Sequence, residues 1–350
     1  MAVMTRSTNT NEIDAVVEIR RILAQARANF YYTQFGAGDD FAARQGNTIR
    51  WWTRSALSAQ TDVHNDAPTL RNSAITHTPV TGELKFYGDD ATTTEALNVT
   101  SVIDIPASMK EEISNGAGLS IDTVVRDALL AATATSGITH LFANGKNSAS
   151  ITTADVATVS DIIDVGTVLA DNKIPMIKHP KTGDMVYIAI ITPKQKNALL
   201  KDTTFKQMIA NGRQDRWYIG ELGIIDNICF VVSSNKTLYT YNSISCEKAL
   251  VLGKDAYGVA SLPQVGGSNM GVPGSSVAFA DNNQWTMDKV KAMFDIVITA
   301  PGNGAGGGAH GDEYAVKTTI AWKAYFAHKI LQPTFMRVYV TSATLSSSFS

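Results

Sequence analysis

Apolar positions along the chain switch between two periods, and the switches divide it into segments. From Glu12 to about Asn29, Ile13, Val16, Val17, Ile22 and Leu23 recur near helical spacing among Glu18, Arg20, Arg21 and Arg27. The spacing predicts a helix roughly 27 Å long with a narrow apolar stripe. Such a helix either lies across a neighbouring molecule or docks on its own core. Asn47 to Ser58 reads as a strand, with Ile49, Trp51 and Thr53 alternating against Arg50, Trp52 and Arg54. On a strand the adjacent Trp51 and Trp52 point to opposite faces, so one fills a core while the other is free to bury itself elsewhere. Ala59 to Thr81 is polar, with Pro68, Pro79 and then Gly82, before extended character returns from Leu84 to Tyr87. A polar stretch longer than about 15 residues is unusual inside a compact domain and commonly functional.

Two helices are predicted next, near 106–115 and 119–134. In the second, Ser120 is placed to cap, Asp122 suits the positive end of the dipole, and Ile121, Val124, Val125, Ala128, Leu129 and Ala132 form one face. Asn115-Gly-Ala-Gly118 predicts a break between them. From 152 onward helices and strands alternate. Thr153 precedes a helix carrying Val156, Val159, Ile163 and Leu169, which Pro175 stops. Met185–Ile191 reads as a buried strand, followed by Thr192 as N-cap and Pro193 at the first helical position. A short helix ending at Asn211-Gly212 and strands over 228–232 and 249–252 complete an α/β unit of about 130 residues. The last third is β-rich, with strands expected over 293–299, 318–326 and 335–341 and a Gly-rich insert over 301–311. No internal repeat is visible.

At 350 residues the chain exceeds one core, so two compact units plus extensions are expected. Hydrophobic residues make up 44% and fill such cores, while a charged fraction of 18% is low for a free monomer and points to surface hidden against neighbours. The formal net charge is −2, and Lys and Arg are scattered. A concentrated basic face for gripping phosphates is missing, so contact with nucleic acid is expected to be non-specific. Cys229 and Cys246 fit no metal or disulfide pattern and are expected as buried free thiols in a reducing cytoplasm. No apolar h-region follows Arg6 and no run of 18 apolar residues occurs, so neither a signal peptide nor a membrane span is expected.

Catalytic motifs fail on context. Gly302, Gly304 and Gly307 have dinucleotide-fingerprint spacing, but no helix opens after them and no acidic residue follows at ribose distance. The histidines at 64, 77, 140, 179, 310 and 328 do not pair at metal-ligand spacing. Asp89-Asp90 follows Gly88, where a turn needs polar residues, and neither a Gly-x-Ser-x-Gly elbow nor a Walker loop is present. No catalytic, cofactor-binding or metal residue is therefore assigned. In Gly253-Lys254-Asp255-Ala256-Tyr257-Gly258, a tight turn is expected in which Gly253 supplies an unusual φ, Tyr257 packs back over it and Lys254 is solvated.

Four blocks carry a family resemblance: ALVLGKDAYGV at 249–259, TTIAWKAYFAHKILQPTFMRVYVTS at 318–342, RDALLAATATSGITHLFANG at 126–145 and GELGIIDNICFVVSS at 220–234. Together, over roughly 10–345, the chain resembles the major capsid proteins of tailed bacteriophages. The resemblance implies an α+β fold of the tailed-phage and herpesvirus type. Its parts would be an N-terminal arm (1–45), a strand and extended loop lying over the next subunit (46–89), a peripheral domain with a spine helix (90–150 and 285–350) and an α/β axial domain (151–284). It implies a structural protein, not an enzyme, that self-assembles into pentamers and hexamers of an icosahedral head enclosing double-stranded DNA, without cofactor or membrane. Scaffolding, portal and decoration proteins would be partners, with assembly in the host bacterial cytoplasm and residence in the virion. Arg50, Trp51, Trp52, Arg54, Phe86 and Tyr87 are the candidate assembly contacts. The alternatives are an encapsulin-like nanocompartment shell protein and, less well supported, an α/β enzyme.

Overall fold

The computed structural model describes residues 30–40, 46–55, 57, 59, 61, 74–101, 105–131, 137–203, 205–207, 217–261, 294–299 and 317–344. The expected helix over 12–29, the helix ending at Asn211-Gly212, the Gly-rich 301–311 segment and most of the polar 59–73 stretch lie outside the described residues.

Strand β7 (Met185–Ile191) organises the centre of the molecule. All its residues after Met185 are buried, and they alternate between two cores: Val186, Ile188 and Ile190 enter one, Tyr187, Ala189 and Ile191 the other. A strand that is apolar on both faces has to be covered on both. It sits inside an eight-stranded sheet ordered β5 (Thr139–Phe142), β15 (Met336–Ser342), β11 (Ile244–Leu252), β7, β9 (Ile228–Val232), β8 (Glu221–Ile225), with β10 (Tyr239–Tyr241) on β11 and β6 (Ile177–Lys178) on β7. Helix α3 (Val159–Asp171) covers one face through Ile162, Val165 and Leu169. The other face shares its core with the buried stripe of helix α2 (Ile105–Leu130). That helix lies across the second sheet, ordered β1 (Ala37–Asp40), β12 (Tyr257–Ser261), β14 (Lys317–Ile330), β13 (Phe294–Thr299), with β4 (Lys85–Thr94) along the opposite edge of β14. A separate antiparallel pair, β2 (Thr48–Arg54) with β3 (His77–Glu83), runs into β4 through Leu84. Two further short α-helices are α1 (Glu95–Thr100) and α4 (Pro193–Leu199).

Several expectations are met in detail. Strands β7 and β9 have the expected bounds. Helix α4 opens with a capping box in which Thr192 Oγ1 accepts from Gln195 N and Gln195 Oε1 accepts from Thr192 N, with Pro193 at its start. Both cysteines are free and buried.

Other expectations are corrected. The break at Asn115–Gly118 does not occur, because α2 is one helix of 26 residues. Two interior glycines cost about 1 kcal/mol each, while burial of Ile113, Ile121, Val125, Leu129 and Leu130 returns about 1.5–3 kcal/mol apiece. Ser120 and Asp122 are consequently mid-helix and serve neither as cap nor as dipole partner. Helix α3 begins at Val159, not after Thr153: Thr158 is its N-cap, and the turn before it is held by buried Asp155, which accepts from Thr152 N and Oγ1, Asn144 Nδ2 and Lys146 Nζ. Asp89 and Asp90 are not in a turn; they lie inside β4, which pairs with β14 over its whole length. In the Gly253–Gly258 turn the left-handed residue is Asp255 (φ 57°). Gly253 is needed for space instead, since a Cβ there would stand 2.5 Å from Ile174 Cγ2 and 2.7 Å from the Pro175 carbonyl oxygen. The sheets also divide the chain differently from the expected segments. Strand β12, within 151–284, pairs in the second sheet, and β15, within 285–350, lies in the eight-stranded one.

Candidate functional site

The β2–β3 pair carries four of the six candidate residues. Its antiparallel register places Arg50 opposite Thr81, Trp52 opposite Pro79 and Arg54 opposite His77, so these six residues share one face. Trp51 points the other way and is 9% exposed, with its indole Nε1 donating to Asp39 Oδ2 at 2.5 Å. Glycines make room for the ring: a Cβ on Gly82 or Gly258 would come within 2.7 or 2.8 Å of Trp51 atoms. With Ala260 and Ala327, Trp51 forms a small core of its own, bordered by Ile49, Leu84 and Leu331. Trp52, in contrast, is 63% exposed, and Arg50 and Arg54 flank it on the same open face. One tryptophan therefore attaches the hairpin to the body, and its neighbour is presented to the outside.

Phe86 and Tyr87 divide in the same way on β4. Tyr87 is half-buried, stacked on Phe326 with ring centroids 4.7 Å apart, and burial raises its phenol. Phe86 is 60% exposed and meets only the Tyr325 ring at 4.8 Å among ring contacts of the described residues. Of the six candidates, Arg50, Trp52, Arg54 and Phe86 are exposed, while Trp51 is buried and Tyr87 half-buried. Phe86 stands apart from the hairpin residues along the chain: six residues, Val80 to Lys85, lie between it and Pro79, the partner of Trp52. Leu97 and Val99 are also exposed, on α1 after the far end of β4.

Helix α2 also carries a buried polar group at Asp122, the residue expected near a helix start and found mid-helix. Asp122 Oδ1 accepts from the backbone N–H groups of Tyr31, Tyr32 and Thr33 at 2.9, 2.7 and 3.2 Å, and Oδ2 accepts from Asn235 Nδ2 at 2.8 Å. Burial pushes its carboxyl up to about 6 against the pull of those hydrogen bonds. The contact pins the chain entering β1 onto the helix. On the buried stripe of α2 Asp122 stands with Ser114 and Arg126 among apolar residues, and nothing in the local pattern says that its partners are distant backbone amides.

A second buried group gathers residues far apart in sequence. His179, Glu221 and Cys229 place their ligand-type atoms within 4.8 Å of one another. His179 Nε2 lies 3.3 Å from Glu221 Oε2, which also accepts from Trp217 N at 2.7 Å and Tyr218 N at 3.0 Å. Burial raises the Cys229 thiol, which hydrogen-bonds to the same carboxylate. Among the described residues these are the side chains grouped as a metal would need, and no spacing motif announces them. Nothing in either cluster offers a nucleophile poised beside a base in an open cleft.

No protein-family model matches the chain, and no curated protein matches it. Among solved structures it is similar to the capsid of Ralstonia phage GP4, with a TM-score of 0.62 at 14% identity over 90% of this chain and 87% of that one. The cyanophage Pam1 capsid asymmetric unit superposes with a TM-score of 0.61 at 11% identity, covering 91% of this chain and 92% of the other. A holo-SrpI encapsulin complex from Synechococcus elongatus PCC 7942 follows at 0.51 and 8% identity over 89% and 88% of the two chains. At such identities the likeness is one of fold, and it runs nearly end to end. The chain has the fold of these phage capsid subunits.

Proposed function

We propose that this chain is a major capsid protein, a structural subunit that self-associates into pentamers and hexamers of an icosahedral phage head enclosing double-stranded DNA. The observation that carries the reading is the fold likeness to phage capsid chains over about nine-tenths of both partners. It also accounts for side chains that a free monomer has no use for. Trp52 and Phe86 stand more than half exposed on β-structure, and exposed aromatics of this kind serve as anchors in the centres of interfaces. Covering Trp52 removes on the order of 125 Å² from water, about 3 kcal/mol per contact before ordering costs. Repeated around a closed shell, modest contacts sum to a stable particle.

In this reading the β2–β3 hairpin is the extended loop reaching a neighbouring subunit, α2 is the spine helix of the peripheral domain, and the eight-stranded unit is the axial domain. Arg50, Trp52, Arg54 and Phe86 make the assembly contacts, with Arg50 and Arg54 steering the encounter. Scaffolding and portal proteins complete the head, assembly takes place in the host bacterial cytoplasm, and contact with packaged DNA is non-specific. The fold likeness to an encapsulin favours a second reading, a nanocompartment shell around protein cargo, but at a lower TM-score.

Electron microscopy of the expressed chain, with a nuclease-protection assay on purified particles, tests both readings. Closed shells that protect double-stranded DNA in an infected cell support the head protein; shells filled with a protein cargo favour the nanocompartment. A 37.6 kDa monomer at high concentration, even with a scaffolding partner supplied, overturns both.

A further inference from the structure

His179, Glu221 and Cys229 come from the loop after β6, the first residue of β8 and the second residue of β9, and all three are buried. Their protons can be placed. Thr182 N–H donates to His179 Nδ1 at 3.2 Å, and a backbone N–H cannot accept, so the imidazole is neutral and carries its proton on Nε2, toward Glu221. The Cys229 thiol lies beside the same carboxylate, within 4.8 Å. The remaining donors to this carboxylate are the Trp217 and Tyr218 N–H groups. Glu221 thus holds a negative charge in a buried place with neutral donors around it, an arrangement that a cation would stabilise.

We propose that His179, Glu221 and Cys229 bind a borderline divalent cation of the zinc type. Imidazole and thiolate select such a metal over magnesium or calcium, and the carboxylate completes a mixed set. Zinc bonds of about 2.0–2.3 Å in a tetrahedron put neighbouring ligand atoms roughly 3.3–3.7 Å apart, which the 3.3 Å Nε2–Oε2 separation and the 4.8 Å limit on the group accommodate. Charge and protons balance. Cys229 releases its proton to solvent and binds as thiolate. His179 shifts its proton from Nε2 to Nδ1, where Thr182 Oγ1 at 3.1 Å accepts it and the Thr182 backbone N–H gives up its bond to that nitrogen. The group changes from one net negative charge to none.

A separate observation points to the same spot. Tyr218 Oη is the buried side-chain atom without a hydrogen-bond partner among the described residues, and the Tyr218 ring sits edge-on to His179 at 5.2 Å. Tyr218 also lines a cleft of about 670 Å³ together with Gln34, Phe35, Met176 and Met185. The tyrosine thus stands between this cleft and the buried group, and a water bound as the fourth ligand would supply the partner that Tyr218 Oη lacks. The site joins three segments of the α/β unit and does not depend on the shell reading.

The test uses the full chain, stripped with a chelator and titrated with Co2+ alone as a spectroscopic probe, then with Zn2+. The expected result is one Co2+ per chain, with a near-ultraviolet thiolate-to-cobalt band and visible bands of tetrahedral strength, all displaced by Zn2+. Cys229→Ser, which keeps a hydroxyl donor to Glu221, should abolish the thiolate band, and His179→Gln should weaken binding by at least about tenfold. The wild-type spectrum decides even where a variant fails to fold. Weak octahedral bands without a thiolate transition, or uptake unchanged in folded Cys229→Ser, overturn the proposal.

Discussion

The Trp51 indole N–H donates to Asp39 Oδ2 at 2.5 Å, joining the hairpin strand β2 to the edge strand β1. The bond works with shape, since Gly82 and Gly258 leave the ring its slot. Trp51 is thus the point at which the hairpin is fastened, in a satellite core separate from the two main ones.

Trp51→Ala is expected to lower subunit stability by about 3–5 kcal/mol, because it empties that core. Asp39→Asn keeps an acceptor and should cost about 1 kcal/mol. Denaturant unfolding of the two variants measures both. Equal midpoints for wild type and Trp51→Ala would show that the hairpin is held by something else.

Trp52 one residue later should behave in the opposite way. Trp52→Ala, and Arg50→Glu with Arg54→Glu, are expected to change subunit stability by no more than about 0.5 kcal/mol while reducing the yield of closed particles. The charge reversals should act on the rate of assembly more than on finished particles, which are expected to survive about 1 M NaCl, where the screening length is near 3 Å. Circular dichroism and microscopy on the same samples separate folding from assembly. Normal particle yield from folded Trp52→Ala would remove this face from the interface.

The division between Trp51 and Trp52 was legible because strand alternation is a local property: two neighbours must face opposite ways whatever surrounds them. Strands β7 and β9 and the Thr192-Pro193 helix start were readable for the same reason. What escaped depends on distant partners. Gly116 and Gly118 look like a helix break until the burial of Ile113 and Ile121 is known. Strand β12 has no strong pattern of its own and exists because β1 and β14 flank it. Asp122 reads as an end-of-helix acid, although its partners are backbone amides about 90 residues away. His179 and Glu221 are 42 positions apart in sequence, so no motif scan joins them.

At the Gly253 turn, two adjacent substitutions should separate sharply. A Cβ on Gly253 meets the Pro175 carbonyl oxygen at 2.7 Å, and backbone cannot yield as a side chain does. Gly253→Ala is therefore expected to cost about 1–3 kcal/mol. Lys254→Ala should fall within about 0.5 kcal/mol, because the side chain is exposed and the anchoring bond, Lys254 N to Pro175 O at 2.8 Å, belongs to the backbone. Thermal unfolding of both variants gives the comparison, and similar losses for the two would contradict it.

Lys248 gives the chain a pH dependence with a definite sign. It is 4% exposed, donates to the Leu130 carbonyl at 2.6 Å and lies 3.8 Å from the Tyr239 ring centroid. Burial nevertheless lowers its ammonium from 10.5 to about 8. The unfolded chain keeps this proton up to the ordinary lysine range, so between about pH 8 and 10.5 it binds more protons than the folded chain, and folding stability from this group rises with pH. Below pH 8 both states are protonated and the group contributes no slope. Lys248→Met removes the titration while keeping most of the volume. The stability of wild type minus that of Lys248→Met should therefore be flat below about pH 8 and climb above it; ionisation of the tyrosines, shared by both proteins, largely cancels in the difference. Urea unfolding at half-unit steps from pH 7 to 10.5 measures that curve. A difference that stays level, or falls, would mean that the Leu130 carbonyl and the Tyr239 ring offset the cost of burying the charge.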